Sequence, residues 1–213
     1  MIKWIERRYG KMQVSRGKIH NYLGMVLDYS SSGEVKVNII KYIKDTIEGF
    51  IELISGGAAT PAASHLFEVN EDGVKLVEQL AQVLHTTTAK LLFLWKRAQP
   101  DIQVPIAFLT TRVKHPDEDD WKKLVRVLKY LKDTVDIVLT LSADNMSVVK
   151  WWVDGSYGVH NDFKSHTGGC MSLGKGTVYS TSIKQKINTK SSTEAEVMSV
   201  ADVLPQILWI GYF

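Results

Sequence analysis

Residues 138–185 contain four short segments that favour β-strands, and these segments constrain the fold more than any other feature of the chain. They are rich in β-branched and aromatic residues and are separated by Gly, Asp and Asn, which suit turns: IVLTLSA, VVKWWVDG, GGCMSLGKG and TVYSTSIKQ. From Ser192 onward the pattern becomes helical, with Ser191 or Ser192 as a candidate N-cap. The sequence therefore predicts a small sheet followed by a helix, which we expect to kink or restart near Asp202 because Pro205 follows.

Upstream of residue 138 the pattern is mainly helical. Acidic residues directly after Pro116, followed by apolar positions at helical spacing, predict a helix start in HPDEDDW. Two strands, 19–29 and 35–39, are predicted on either side of the turn residues SSSG. The other predicted helices have apolar residues three or four positions apart, and they cover 2–10, 39–54 and 72–97, with a possible break at 86–88.

Two carboxylates occupy positions that suit a metal site. WWVDGSYG places Asp154 at the end of an apolar strand, and TKSSTEAE places Glu194 in the first turn of a helix. Mg²⁺ takes oxygen ligands and often only one or two carboxylates, so this pair could share a cation. The alternative is a turn residue and a helix cap. Glu196 competes with Glu194, but it lies roughly 200° further round the helix, so only one of them can face the strand.

The motifs around these carboxylates resemble a known family. WWVDGSYGVHNDFKSHTGG followed by VYSTSIKQKINTKSSTEAE is similar to the RNase H domain of copia-type retrotransposon polyproteins. Upstream, HNYLGMVLDYSSSGEVKV, QPDIQVPIAFLTTRV and DWKKLVRVLKYLKDT are similar to the end of the reverse transcriptase palm, the thumb and the connecting segment of the same polyproteins. The resemblance covers nearly the whole chain, with the motifs in the order of the family.

The resemblance implies a mixed α+β fold in three parts. Residues 1–54 would be the end of the palm and thumb, and residues 55–136 a helical thumb and connection. Residues 137–213 would be a truncated RNase H-like domain with a three-stranded antiparallel sheet and the first helix. The family carries an Asp-Asp pair for polymerase chemistry on a hairpin that is not found here. Asp119 and Asp120 belong to a helix start, so polymerase activity is not expected.

The activity that the resemblance implies is metal-dependent cleavage of RNA in RNA–DNA hybrids. Asp154 and Glu194 would be ligands of Mg²⁺, or of Mn²⁺, and a metal-bound water would be the nucleophile. The further carboxylates of the family would lie beyond Phe213. We therefore expect an incomplete metal site and little or no activity. The alternatives are a non-catalytic nucleic-acid-binding remnant, which would use basic segments 1–18 and 184–190, and a protein-interaction remnant that docks other polyprotein domains.

Four residues are candidates for contact with an RNA–DNA hybrid or another nucleic acid. Lys184, Lys186 and Lys190 lie among hydroxyl side chains just before the predicted helix, and Ser165 lies in the preceding loop. Lysines in such a segment would contact phosphates and carry no sequence information. The alternative is a solvated connection between strand and helix.

Other side chains near these motifs are given structural roles. Asp202 would lie roughly 12 Å along the helix from Glu194, too far to bind the same ions, and is expected at the helix surface or as a cap. Asp162 is expected to brace its loop. His160 and His166 are expected in the solvated loop, and Trp121 in the core. Gly155 and Gly158 stand where many members of the resembling family carry Ala, which would loosen the end of the strand slightly.

Composition adds only broad bounds. The net charge of +3 is compatible with a phosphate-rich partner but does not require one. The one cysteine, Cys170, excludes an internal disulfide and suits a buried strand. No stretch approaches the roughly 20 apolar residues of a membrane span, and the basic start lacks the apolar core of a signal peptide. We expect an intracellular protein, cytoplasmic or nuclear, without a membrane partner.

Overall fold

The computed structural model describes residues 1–212 and has a mixed α/β architecture, which confirms the prediction at this level. Within these residues there are six α-helices and two antiparallel sheets. The helices are α1 (Ile2–Tyr9), α2 (Ile40–Glu48), α3 (Glu78–Arg97), α4 (Gln103–Arg112), α5 (Glu118–Asp133) and α6 (Ser192–Gly211). The strands are β1 (Ile19–Tyr22), β2 (Met25–Asp28), β3 (Glu34–Asn38), β4 (Leu139–Ala143), β5 (Lys150–Ser156), β6 (His166–Ser172), β7 (Gly174–Lys175) and β8 (Tyr179–Lys184).

The first sheet has the order β1-β2-β3-β4-β7 and differs from the prediction in two ways. The single strand predicted over 19–29 is a hairpin, because Leu23 and Gly24 adopt φ of 48° and 78° and turn the chain. In addition, β4 pairs with β3, with Val35 opposite Leu141. Residues on both sides of the boundary predicted at residue 137 therefore share one sheet, to which β4 and β7 both contribute.

The helical core is formed by α3, α4 and α5, and most of its fully buried side chains are leucine or isoleucine. No break occurs at 86–88, because Thr87 and Thr88 are buried against the core. This helix starts at Glu78 rather than at residue 72, since residues 74–76 form backbone hydrogen bonds with the start of α5. Likewise α2 ends at Glu48, before Gly49, and not at residue 54.

The start of α5 is the most strongly specified helix end in the chain. Asp117 accepts hydrogen bonds from the Asp119 and Asp120 amides, and Asp120 accepts one from the Asp117 amide, which forms a capping box. Arg112 bridges both carboxylates, at 2.9 Å from Asp117 and 3.0 Å from Asp120. Trp121 lies in the core as predicted, and its indole N–H donates to Glu52.

The second sheet has the order β5-β6-β8 and is the predicted three-stranded antiparallel sheet. One face packs against α6, whose Ala195, Ser199 and Val203 are buried. The opposite face meets the helical part, where the Trp95 indole N–H donates to Ser180 at 3.1 Å. The helix does not restart near Asp202, because α6 continues through Pro205, an exposed position that removes only one N–H donor, and the kink expected there stays a prediction. None of the helices in residues 1–212 is both long enough and apolar enough to cross a membrane.

Candidate functional site

The contact between β5 and α6 brings the two predicted carboxylate positions into one neighbourhood. A Cβ on Gly155 would lie 2.7 Å from Ser199 Oγ and 2.8 Å from Ala195 O. The residue after Asp154 therefore touches the residue after Glu194. Glycine is required for this approach, so the expectation that Gly155 is only a mild loosening is wrong. Gly158 differs, because its φ of 61° and open surroundings mark a turn.

Asp154 and Glu194 do not point at a common centre. Alternation along β5 turns Gly155 towards α6 and the exposed Asp154 towards the other face, beside its partner Gly168. Glu194 is a helix cap: its Oε2 accepts from the Lys190 amide at 2.6 Å, while its own amide donates to Ser191 Oγ at 3.2 Å. The structure thus gives Glu194 the capping role that was the alternative in the sequence.

Of the two glutamates in the first turns of α6, Glu196 lies closer to the face of the helix that packs against the sheet. It lies ~100° round the helix from Ala195 and ~60° from Ser199, the residues that face the sheet, whereas Glu194 lies ~140° from Ser199. Glu196 is exposed, and its carboxylate is not part of the helix cap. The spacing Ser191-x-x-Glu194 is the signal that identifies Glu194 as the N3 residue of a cap and leaves Glu196 available.

Beneath these residues lies a polar cluster that reaches the half-buried Asp202. Thr167 Oγ1 donates to Asp202 Oδ2 at 2.7 Å, so Asp202 is not a cap but joins α6 to β6 from the margin of the helix surface. Gln185 is 1% exposed, and its side-chain N–H group reaches Thr167, Ser199 and the Ala195 carbonyl. The cluster joins β6, the end of β8 and α6.

The loop after β5 is braced as predicted for Asp162. Its carboxylate accepts from Lys184 Nζ at 2.8 Å, and its backbone carbonyl accepts from the Asn188 side chain. The hydrogen bond from Lys184 holds the pKa of Asp162 below its usual value. Lys184 is therefore already paired with an acid, which reduces the charge that it can offer to a phosphate.

Of the other proposed nucleic-acid contacts, Lys186 and Lys190 are exposed, but Ser165 is not. Ser165 is fully buried, where it shares a 2.8 Å hydrogen bond with Thr189 and accepts from the Gly158 amide. We therefore correct its role: Ser165 fixes the loop and does not face a ligand. Lys186 and Lys190 remain on the surface that leads into α6.

The expectation that His160 and His166 are solvated is wrong. His160 Nε2 lies 3.0 Å from His166 Nδ1, His166 Nε2 lies 2.7 Å from Ser182 Oγ, and both rings contact Phe67. Burial and the neighbouring His160 lower the pKa of His166 to about 4, and burial lowers the pKa of His160. The histidines form a neutral contact between the sheet and the helical part.

The donor set near β5 and α6 consists of carboxylate oxygens, which suit Mg²⁺ or Mn²⁺ better than softer metals. In the part of the chain that the structure describes, no group of three or more His, Cys, Asp or Glu could hold a metal ion. Cys170 is half-buried in β6, and burial raises the pKa of its thiol. Near β5 and α6 the described residues therefore offer a cation the carboxylates of Asp154 and Glu196, which start from opposite faces of the sheet.

Comparisons with known proteins give a consistent set of relatives. Over 196 residues, or 90% of the chain, it is 26% identical to a putative transposon Ty5-1 protein of Saccharomyces cerevisiae, and covers 62% of that protein. It is 24% identical over 203 residues to the retrovirus-related Pol polyprotein from transposon TNT 1-94 of Nicotiana tabacum, covering 92% of the chain and 15% of the polyprotein. A third relative, the Pol polyprotein from transposon RE2 of Arabidopsis thaliana, is 34% identical over 113 residues, which are 53% of the chain and 8% of the polyprotein.

No protein-family model and no solved structure matches the chain. The chain spans 62% of the yeast relative and 8% and 15% of the two plant polyproteins. These three relatives are all transposon proteins, and two of the alignments run along nine-tenths of the chain. The chain is thus similar, along most of its length, to proteins of retrotransposons and to part of their Pol polyproteins.

Proposed function

We propose that residues 1–213 are a reverse transcriptase to RNase H segment of a retrotransposon polyprotein, and that its ancestral reaction is metal-dependent cleavage of RNA in RNA–DNA hybrids. The observation that carries this proposal is the contact of Gly155 with Ala195. It holds Asp154, near the end of β5, and an acidic helix start within one residue of a shared backbone contact. The relatives are a transposon protein and a transposon Pol polyprotein, which supports the same assignment.

In the proposed site, Asp154 is the main protein ligand, and Glu196 would supply a second carboxylate round the free edge of β5, because the two side chains start from opposite faces of the sheet. A bound Mg²⁺ would polarise a water for attack and offset the charge of the scissile phosphate. Asp154 is exposed on a strand at the edge of its sheet, so a phosphate can approach it from solvent. Glu194 supports the site indirectly, because its cap fixes the first turn of α6.

Positive charge on the same molecule would hold the nucleic acid. Residues 1–18 contain six Lys or Arg and one Glu, a net charge of +5, whereas the whole chain carries +3. Residues 19–213 therefore carry −2. No residue of α1 is buried, so this basic segment is free to contact phosphates. Lys186 and Lys190 would add contacts beside the start of α6.

We expect this 213-residue chain to bind hybrid and to cleave it slowly or not at all. Two carboxylates are fewer ligands than a two-metal hydrolysis requires, and the helix that carries Glu196 is fixed on one side only. Cleavage comparable to that of a complete nuclease would contradict this expectation. It would mean that further ligands are supplied by another chain.

The test uses a labelled RNA–DNA hybrid and the purified chain in Mg²⁺ and in Mn²⁺. Mn²⁺ binding is measured in parallel by paramagnetic broadening of the Gly155 amide in NMR spectra. Asp154→Asn and Glu196→Gln should weaken Mn²⁺ binding at least tenfold, while Glu194→Gln should act mainly on the stability of α6. Asp28→Asn is the matched control, since Asp28 is likewise an aspartate in a strand, β2, but lies in the other sheet.

If Asp154→Asn binds Mn²⁺ as tightly as the wild-type chain and leaves any cleavage unchanged, the proposed function is wrong. If Glu194→Gln weakens binding more than Glu196→Gln, the assignment of the second carboxylate is wrong while the site itself stands. Loss of binding in Asp28→Asn would indicate an unspecific effect of removing negative charge.

A second candidate function, the docking of other polyprotein domains, is favoured by the outer face of α6. Val197, Val200, Leu204 and Leu208 form a stripe at helical spacing and are 42–63% exposed. Exposed apolar stripes of this kind commonly mark protein contacts. Binding of an environment-sensitive dye that is reduced in Leu204→Ser, together with concentration-dependent sedimentation, would support docking. A chain that stays monomeric and binds no dye would count against it.

A further inference from the structure

Gln185 occupies the centre of the buried cluster that connects the sheet to α6. Its Nε2 lies 2.9 Å from the Ala195 carbonyl and 3.1 Å from both Thr167 Oγ1 and Ser199 Oγ. The backbone N–H of Gln185 donates to the backbone carbonyl of Ser165 at 2.9 Å. The side chain is 1% exposed, although amides of this kind are usually found at protein surfaces.

The hydrogen-bond directions in the cluster are fixed by two groups that can only accept, the Ala195 carbonyl and the Asp202 carboxylate. Ser199 Oγ donates to the Ala195 carbonyl, and Thr167 Oγ1 donates to the Asp202 carboxylate. Both hydroxyls can then accept from Gln185, whose two N–H hydrogens serve three acceptors. The Oε1 atom of Gln185 is buried without a hydrogen-bond partner. The side-chain amide of Gln185 therefore acts only as a donor in this cluster. Its unpaired oxygen is unfavourable, and the hydrogen bonds from its N–H group offset that cost.

These contacts fix the part of α6 that bears the glutamates. Gln185 holds Ala195, which lies between Glu194 and Glu196, and Thr167 holds Asp202 about two turns further along. Ala195 in turn rests on the backbone of Gly155, next to Asp154. The inner face of α6 offers few large apolar side chains at this end, so directional hydrogen bonds set the position of the helix.

We propose that Gln185 is a positioning residue, which sets the separation of Asp154 and Glu196 by anchoring the first turns of α6 to the sheet. The inference rests on the proposed metal site, since it concerns the geometry of that site. Gln185 itself touches neither the cation nor the nucleic acid. Its loss would let α6 shift along β5 and β6 and would separate the two carboxylates.

The experiment compares Gln185→Met with Gln99→Met in the full chain. Methionine keeps a similar volume and removes the donor in both cases. Gln99 is also a buried glutamine that donates to a backbone carbonyl, that of Ile137, but it lies in the helical part. Mn²⁺ affinity, hydrogen exchange of the α6 amides and resistance to urea are measured for each variant. Thr167→Val is a second variant that breaks the same cluster from β6.

Gln185→Met and Thr167→Val should each weaken Mn²⁺ binding about tenfold and speed exchange of the amides at 196–203. Gln99→Met should lower resistance to urea to a similar degree without changing Mn²⁺ affinity. If the Gln185 and Thr167 variants fold and bind Mn²⁺ as the wild-type chain does, while that binding still depends on Asp154, the positioning role is overturned and the proposed function survives. If wild-type binding does not depend on Asp154, both are overturned.

Discussion

The close approach of α6 to β5 predicts that Gly155→Ala destabilises the protein. The added Cβ would lie 2.7 Å from Ser199 Oγ and 2.8 Å from Ala195 O, whereas ordinary contacts begin at 3.4 Å. Ser199 can change rotamer, but the Ala195 carbonyl belongs to the helix backbone, so α6 must move by about half an ångström. Such overpacking costs about 1–3 kcal/mol. Replacing glycine in a strand returns roughly 0.5–1 kcal/mol. The net loss should be about 1–2 kcal/mol.

Gly168→Ala is the matched control for this prediction. Gly168 pairs with Asp154 in the same sheet, on the face that points away from α6. A Cβ added to Gly168 would meet only Asp154 O, at 3.9 Å. We expect Gly168→Ala to be neutral or slightly stabilising. Thermal and urea unfolding measure both variants, with a lower Tm for Gly155→Ala of roughly 2–8 °C. Equal stability of Gly155→Ala and the wild-type chain would refute the contact on which the candidate site depends.

Three further predictions concern other parts of the molecule. Arg112→Met should lower the free energy of unfolding in urea by about 3–5 kcal/mol, because it leaves two buried carboxylates without their cation. Lys75→Met is the control: it removes an exposed lysine 3.6 Å from Asp117 and should lower that free energy by well under 1 kcal/mol. His166 has its pKa lowered from 6.5 to about 4, so protons favour the unfolded chain, and stability should fall by at most about 3 kcal/mol as pH drops from 6.5 to 4. His166→Gln should flatten that slope, and an unchanged slope would show that other groups cause it. Removing residues 1–18 should make hybrid binding weaker and less dependent on salt in fluorescence anisotropy, and an unchanged salt slope would exclude this segment from the contact.

Local sequence signals predicted the elements but not all of their partners. The acidic start of α5 carries its own capping box, so its position follows from a few neighbouring residues. The three-stranded sheet and the helix after it were likewise predicted. The pairing of β4 with β3 was not, because residues about one hundred positions apart form it and neither strand marks its partner. The start of α3 was also missed, since backbone contacts with Pro116 and Glu118 hold the preceding residues extended.

At the candidate site, the sequence identified the neighbourhood better than the role of each residue. Asp154 lies in the predicted strand, but β5 continues for two more residues to Ser156, and whether Asp154 binds a metal remains a prediction. Glu194 carries a capping signal that a search for metal ligands passes over. His160 is buried and Asp202 is half-buried by contacts with distant elements, so loop or helix position alone could not reveal their surroundings. Nothing local distinguishes Gln185 from a solvated glutamine, because its acceptors come from β6 and α6.

The face of α6 that packs on the sheet is partly polar, whereas its outer face is apolar and exposed. A partner that covers the outer face can therefore affect how α6 docks on the sheet. The inner face begins with small and polar contacts, at Ala195 and Ser199, while the outer face exposes valine and leucine side chains. Hydrogen bonds to Gln185 set the geometry of the helix but contribute only about 1 kcal/mol each. A partner that covered the outer face would add apolar burial and would favour the docked position of α6 by mass action. Occupation of the outer face should therefore slow exchange of the α6 amides and tighten Mn²⁺ binding at Asp154, although the two surfaces lie on opposite sides of the helix.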